Sequence, residues 1–228
     1  MNLDAFLSGL GITFTDKGLV RQAFTHRSYV NEHRGEKIEH NERLEFLGDA
    51  VLELVTSDFL YKKYPESPEG ELTAYRAALV NTISISDAAT ELGMNEHLLL
   101  SKGEAKDTGR ARQYILANTF EAFIGALYLD QGYDVAQKFI ADSLFHKTEE
   151  MVAKRLWQDA KSRFQEMAQE KEGVTPRYEM LEESGPDHDK TFVAGVFLGD
   201  ELVAKGEGCS KQDAEQSAAE AGLTAKAW

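Results

Sequence analysis

Cysteine is almost missing from this chain of 228 residues. Cys209 stands alone, so no intramolecular disulfide can form, and a reducing, cytoplasmic setting is expected. No run approaches the roughly 18 apolar residues that a membrane-spanning helix needs, so no membrane partner is expected. The opening MNLDAFLSGL lacks a basic stretch and carries Asp4 among its apolar residues, which argues against a signal peptide. Positive charge is also in short supply: 25 Lys and Arg face 39 Asp and Glu, a net charge of -14. The deficit is spread along the chain, since residues 157–228 hold 8 basic against 15 acidic side chains. Charge alone therefore argues against a generic nucleic-acid binder, and any such reading has to rest on placed motifs. Alternating β-branched residues are scarce up to about residue 150, and no internal repeat or low-complexity segment occurs.

What is present in that first part is helical period. Apolar residues recur at three- and four-residue spacing over 41–63, 71–92 and 112–129. Breaks fall at Tyr64-Pro65-Glu66-Ser67-Pro68-Glu69-Gly70, Leu92-Gly93, Ser101-Lys102-Gly103 and Asp130-Gln131-Gly132. The charged stretch 146–157 has neither Gly nor Pro and reads as a helical tail or connector. Beyond it the texture changes. A helix over 158–171 precedes alternating strands at 176–183, 190–198 and 201–207, then an Ala-rich helix at 211–225. Leu198-Gly199-Asp200-Glu201 reads as a tight hairpin turn. The expected architecture is an all-α domain over 1–150, a connector over 151–157, and a small α+β domain, α-β-β-β-α, over 158–226.

The segment NERLEFLGDAVLEL, residues 41–54, is the most informative. At about 100° per residue, Glu42, Glu45 and Asp49 fall within roughly 60° of one another, and Leu44, Leu47, Val51 and Leu54 gather opposite. Like charges one turn apart repel. They form either a solvated acidic face or a site for a hard cation, because Mg²⁺ prefers carboxylate oxygens and keeps several waters. On ILANTFEAFIGALYLD, residues 115–130, Asn118 and Glu121 share a face at i, i+3. Ala122 and Gly125 lie beside them, and Leu116, Phe120, Phe123, Ile124 and Leu127 form the apolar side. The small residues either leave space for an ion and substrate or permit close helix packing. Two facing helices could offer Glu45, Asp49, Asn118 and Glu121 to one metal. Phe46 lies within about 40° of Glu42 on the same wheel, on the charged side, where the domain's own core explains an aromatic poorly.

The segment ERLEFLGDAVLEL closely resembles the signature of ribonuclease III. THRSY at 25–29, EGELT at 69–73 and LANTFEAFIGALYLD at 116–130 follow in that family's order and spacing, and the likeness covers essentially the whole chain. The resemblance implies an endonuclease that cuts double-stranded RNA with Mg²⁺, Mn²⁺ being able to substitute. By the same likeness Glu45, Asp49, Asn118 and Glu121 occupy metal-binding positions, with Asp49 and Glu121 catalytic. Glu42 and Glu69 occupy acidic positions near RNA and the dimer interface, and Phe46 inserts into a partner subunit. A homodimer with two active sites would leave 5′-phosphates and 3′ overhangs on ribosomal and messenger RNA precursors. One departure matters: the family usually has Asp where this chain has Asn118. An amide oxygen can ligate Mg²⁺ but brings no charge, so weaker metal binding is expected.

Residues 158–226 resemble a double-stranded-RNA-binding domain, which reads A-form shape across successive minor grooves. Ser162, Gln165, Glu166 and Gln169 share one face of its first helix, with hydrogen-bonding groups suited to 2′-hydroxyls and base edges. His188, in SGPDHDKTF, matches the loop that enters the second groove. The second helix begins at Ser210-Lys211-Gln212-Asp213, which reads as a capping box, and directs its amides and Lys211 at a phosphate. The family usually shows paired lysines there. Gln212 replaces one, so reduced phosphate affinity is expected. His26, His33, His40, His97 and His146 show neither paired spacing nor a nucleophile partner, and no chemistry is assigned to them.

Two rivals remain. One is a duplex-binding protein that kept the fold and lost cleavage, which Asn118 permits. The other is a helical carboxylate metalloprotein unrelated to RNA, which calls for Glu-x-x-His ligand pairs. Neither acidic helix carries one.

Overall fold

Acidic residues in its first turn and Lys62 and Lys63 in its last align with the dipole of the longest early helix, α4 (Glu42–Lys63), which stops at Tyr64 before Pro65. In the computed structural model, which describes residues 3–35, 38–155, 157–186 and 190–228, the chain divides into two compact units, Met1–Trp157 and Gln158–Trp228. Each is described by itself.

The first unit is helical. α1 (Leu3–Gly9), α2 (Lys17–Ala23) and α3 (Arg27–Glu32) precede α4. After it come α5 (Glu69–Leu79), α6 (Thr82–Glu91), α7 (Arg110–Gln131), α8 (Tyr133–Leu144) and α9 (Thr148–Ala153). The helical period over 71–92 spans two helices rather than one. Asn81 divides them, because its side-chain oxygen accepts the Ser84 amide at 2.9 Å and starts α6 afresh. α7 runs through the middle of the unit, with Leu116, Phe120, Phe123, Ile124 and Leu127 all buried, as their spacing predicts. Phe6, Phe14, Phe24 and Phe139 close around Phe123 with ring centroids 5.1–6.0 Å apart.

One approach fixes the geometry of α4 and α7. A Cβ on Gly48 would stand 1.7 Å from the Glu121 carbonyl oxygen, and one on Gly125 would stand 2.2 Å from that of Leu44. The helices cross backbone to backbone, which only glycine allows. Close packing is therefore the reason for Gly125, and Ala122 is fully buried beside it. The wheel is corrected at one position: Leu54 does not join Leu44 and Val51 in the core but is 59% exposed. α9 is no free tail, for Thr148 is buried and Met151 packs with Leu60, Tyr75 and Trp157.

The second unit has the expected α-β-β-β-α order: α10 (Ala160–Glu172), β1 (Arg177–Ser184), β2 (Thr191–Leu198), β3 (Glu201–Gly208) and α11 (Lys211–Lys226). Asp159 caps α10 by accepting the Ser162 amide at 3.0 Å, and Gly173 ends it at φ +68°. The sheet is antiparallel in the order β1-β2-β3, with Tyr178 opposite Val196 and Val196 opposite Ala204. Gly199, at φ +58°, makes the two-residue hairpin turn. Alternate residues Ala194, Val196 and Leu198 face Phe164, Ala168, Ala214, Ala218 and Leu223 of the two helices. Gly206 and Gly208 admit the α11 backbone, since a Cβ there would stand 2.0 and 2.5 Å from the Ala218 and Ala214 amides. Among the described residues no helix is long and apolar enough to cross a membrane.

The crossing sets a test. Gly125→Ala forces a methyl group against the Leu44 carbonyl, and overpacking of this kind costs about 1–3 kcal/mol. A lower thermal midpoint for the helical unit by circular dichroism is expected. An unchanged midpoint means that α4 and α7 do not approach this closely.

Candidate active site and duplex-binding face

Because α4 and α7 meet at Gly48 and Gly125, the residues one turn away on each helix face one another. Glu45 and Asp49 flank Gly48 on α4, and Asn118 and Glu121 precede Gly125 on α7. Asp49 is exposed; Glu45, Asn118 and Glu121 are partly buried. Burial, then the like charges of Asp49, Glu45 and Glu53, push the Glu121 carboxyl up to about 8. Glu45 is raised as well, by burial and then by Glu42 and Asp49. Three of the positions proposed from sequence, Glu45, Asp49 and Glu121, interact as carboxylates at the helix crossing, and Asn118 lies one turn before Glu121 on α7.

The sequence reading missed Glu53, although it continues the series Glu45, Asp49 at i+4. Its oxygen pairs with Arg76 Nε of α5 at 2.7 Å, and Arg76 also donates to Ser57 Oγ at 2.9 Å. Nothing in the local sequence links residue 76 to residue 53. Glu42 sits apart from Glu121, between Arg27 at 3.4 Å and His40 Nδ1 at 3.7 Å. Glu69 opens α5, exposed, and accepts from Thr73 Oγ1 at 3.2 Å.

A resident hard cation suits this donor set. All four groups offer oxygen, and burial together with the nearby carboxylates disfavours a second bare charge on Glu121. Among the described residues no three His, Cys, Asp or Glu side chains close into a ready cage.

The THRSY segment has a structural role. His26 caps α3, its Nδ1 accepting the Ser28 amide at 3.3 Å, and Ser28 Oγ in turn accepts the Ser101 amide at 3.0 Å. Burial holds the His26 imidazole below its ordinary range, against the pull of Glu104. A neutral ring is what an accepting cap requires.

Phe46 is 80% exposed on the outer side of α4. Leu54 and Tyr61 are 59% and 73% exposed and lie within about 80° of it on the wheel. The bundle therefore does not bury both faces of α4. A cleft of about 500 Å³ adjoins this stripe, lined by Leu54, Tyr61, Leu72, Arg76 and Glu69.

In the second unit Ser162, Gln165, Glu166 and Gln169 are exposed on one face of α10, opposite buried Phe164 and Ala168. Ser210 Oγ accepts the Asp213 amide at 3.1 Å, so the expected cap is formed. The Asp213 carboxylate accepts from Cys209 Sγ at 3.1 Å. Lys211 and Gln212 stand exposed at the helix start. A cleft of about 810 Å³ lies between that start and α10, reached by Ser162, Gln165, Lys211 and Gln212. His188 lies outside the described residues.

Comparison with known proteins follows the same division. Residues 16–148 match a family model described as Ribonuclease-III-like, and residues 160–225 match the double-stranded RNA binding motif. The chain is 50% identical over 213 residues to "Ribonuclease 3" of Enterococcus faecalis, a match that spans 93% of this chain and 92% of that one. It is 50% identical over 214 residues to "Ribonuclease 3" of Geobacillus thermodenitrificans, spanning 94% and 87%. Among solved structures, the nuclease domain of ribonuclease III from Campylobacter jejuni is similar, with a TM-score of 0.56 and 37% identity over 62% of this chain and 98% of that one. That structure is described as flexible in a region involved in dimer formation.

The raised Glu121 carboxyl predicts a pH dependence. A carboxyl raised in the folded state adds stability that is complete below its unfolded value near 4.5 and is lost as pH climbs toward about 8. In chelator, the thermal midpoint of the first unit should fall across that window, and Glu121→Gln should flatten the fall. Equal slopes for the two proteins would show that Glu121 is not desolvated here.

Proposed function

The chain belongs to the ribonuclease III family, and from that membership we propose that it is a metal-dependent endonuclease that cuts double-stranded RNA as a homodimer. The observation that carries the proposal is the acidic crossing of α4 and α7 on a chain that also holds a double-stranded RNA binding motif. Glu45, Asp49, Asn118 and Glu121 hold the cation, Mg²⁺ in the first instance and Mn²⁺ in its place. A bound divalent ion would supply a nucleophilic water near neutral pH and stabilise charge on the phosphoryl oxygens. Asp49, exposed on α4, presents its carboxylate toward solvent where RNA arrives. Burial, then the like charges of Asp49, Glu45 and Glu53, favour the protonated Glu121 carboxyl, and a bound cation would favour its carboxylate form. Asn118 contributes an oxygen without charge, which weakens the cation's hold but leaves the donor set complete.

Arg76 neutralises Glu53 and ties α5 to α4, which keeps Glu69 beside the apolar stripe. Phe46 enters the partner subunit, and pairing brings two sites to one duplex, which accounts for 5′-phosphate products with 3′ overhangs. Ser162, Gln165, Glu166, Gln169, His188 and Lys211 of the second unit bind the duplex by shape. Substrates are structured precursors of ribosomal and messenger RNA, met in the cytoplasm.

Two experiments test this. On long duplex RNA with Mg²⁺, Asp49→Asn and Glu121→Gln should each lower cleavage by roughly 100-fold or more, with duplex binding intact. Near-normal turnover in either variant removes the proposed site, and a wild-type chain that binds without cutting leaves the cleavage-defective reading in its place. Phe46→Ala should cost about 2–4 kcal/mol of association, visible by sedimentation as a shift from dimer to monomer. A monomeric wild-type chain at micromolar concentration would falsify the dimer.

A further inference from the structure

The cleft between α10 and the start of α11 holds more than the residues expected to meet RNA. Lys161 Nζ donates to Glu215 Oε2 at 2.6 Å inside it and lies 4.9 Å from the centre of the Tyr178 ring. Lys211 lines the same cleft, as do Asp159 and Glu215. Two ammonium groups and two carboxylates therefore share it, and its net charge is zero.

The two carboxylates are not equivalent. Asp159 is committed to the fold, capping α10 through the Ser162 amide at 3.0 Å and accepting Gln216 Nε2 at 3.1 Å. These bonds outweigh its burial and hold its carboxyl below the usual range. Glu215, one turn beyond Lys211 on the same helix, accepts from Lys161. Its oxygens can leave for solvent without disturbing a cap. The Tyr178 hydroxyl also belongs to the lining, and it is buried without a hydrogen-bond partner among the described residues. A buried hydroxyl left unpaired is costly, and burial, then Glu215 and Asp159, push it up to about 12, so it remains a donor.

We propose that this cleft seats an RNA backbone phosphate, with Lys161 as the cation that receives it and Glu215 as an internal anion that occupies Lys161 until the duplex displaces it. The proposal rests on the reading of this unit as a duplex-RNA binder and adds a phosphate contact from α10. It also supplies a second cation beside Lys211, where Gln212 offers none. The exchange trades the Lys161–Glu215 pair for a Lys161–phosphate pair and turns Glu215 out to solvent. The Tyr178 hydroxyl gains the acceptor that it lacks.

The test is binding of the full chain to a short RNA duplex by fluorescence anisotropy, in chelator and over a series of salt concentrations. Lys161→Met should weaken binding and flatten the salt slope by about one unit, as loss of one phosphate contact does. Lys161→Arg, which keeps the charge, should retain the slope. Glu215→Gln should tighten binding roughly three- to tenfold, more than Glu220→Gln, a charge control on an exposed α11 residue outside the cleft. In the Lys161→Met background, Glu215→Gln should give no more than that control gives. A wild-type slope for Lys161→Met overturns the seat, and so does a Glu215→Gln gain that survives without Lys161. In either case a wild-type preference for duplex over single strands leaves the reading of the unit standing. Absence of that preference ends both.

Discussion

The approach of two backbones governs the nuclease unit. With Gly48 under the Glu121 carbonyl and Gly125 under that of Leu44, α4 and α7 lie closer than any side chain would permit, and their polar residues have nowhere else to go. Glu121 is desolvated because it sits beside that crossing, and it is raised further because Asp49, Glu45 and Glu53 arrive from the other helix. The acidic face that would cost an isolated helix stability becomes, at the crossing, a place with negative charge to spare. The glycines set the crossing at which the proposed site lies.

Much of this was legible in the sequence, and the reasons can be given residue by residue. Glu45, Asp49, Asn118 and Glu121 could be grouped because i, i+3 and i, i+4 spacing reports a shared face within each helix. That the two faces meet was not derivable from period, and there the likeness to ribonuclease III carried the step. Gly125 was open to two readings, room for an ion or close packing, and the structure answers with packing. Leu54 was misplaced because a wheel records direction but not how wide the neighbouring helix is. The 71–92 segment kept its period across Asn81, so only the cap reveals the break. Glu53 and Arg76 escaped notice because their pairing joins helices 23 residues apart in a way that no local pattern encodes.

Net charge was the least instructive quantity, and the second unit explains why. A total counts charges but not their partners. Lys161 is paired with Glu215, Lys190 with Glu183, and Lys226 with both Glu172 and Glu201. With Lys171 on Glu170 and Arg177 on Glu179, at least five of its eight basic residues are thus held by acids of the same unit. An ion pair near the surface is worth little in stability, so a polyanion can compete for its cation. The acidity of this chain therefore describes its resting state better than what it can bind.

The exposed stripe of Phe46, Leu54 and Tyr61 acquires a further meaning on a chain of net charge -14. Two copies approaching through that stripe gain apolar burial and suffer mutual repulsion. Added salt screens the repulsion and leaves the apolar gain in place. Attachment of a cationic face to a nucleic-acid polyanion responds in the opposite sense, because salt removes the advantage of releasing counterions. For the proposed homodimer, ionic strength would be a single knob that turns self-association up while turning RNA association down. The proposed enzyme would therefore need a salt concentration that allows both pairing and attachment to its duplex.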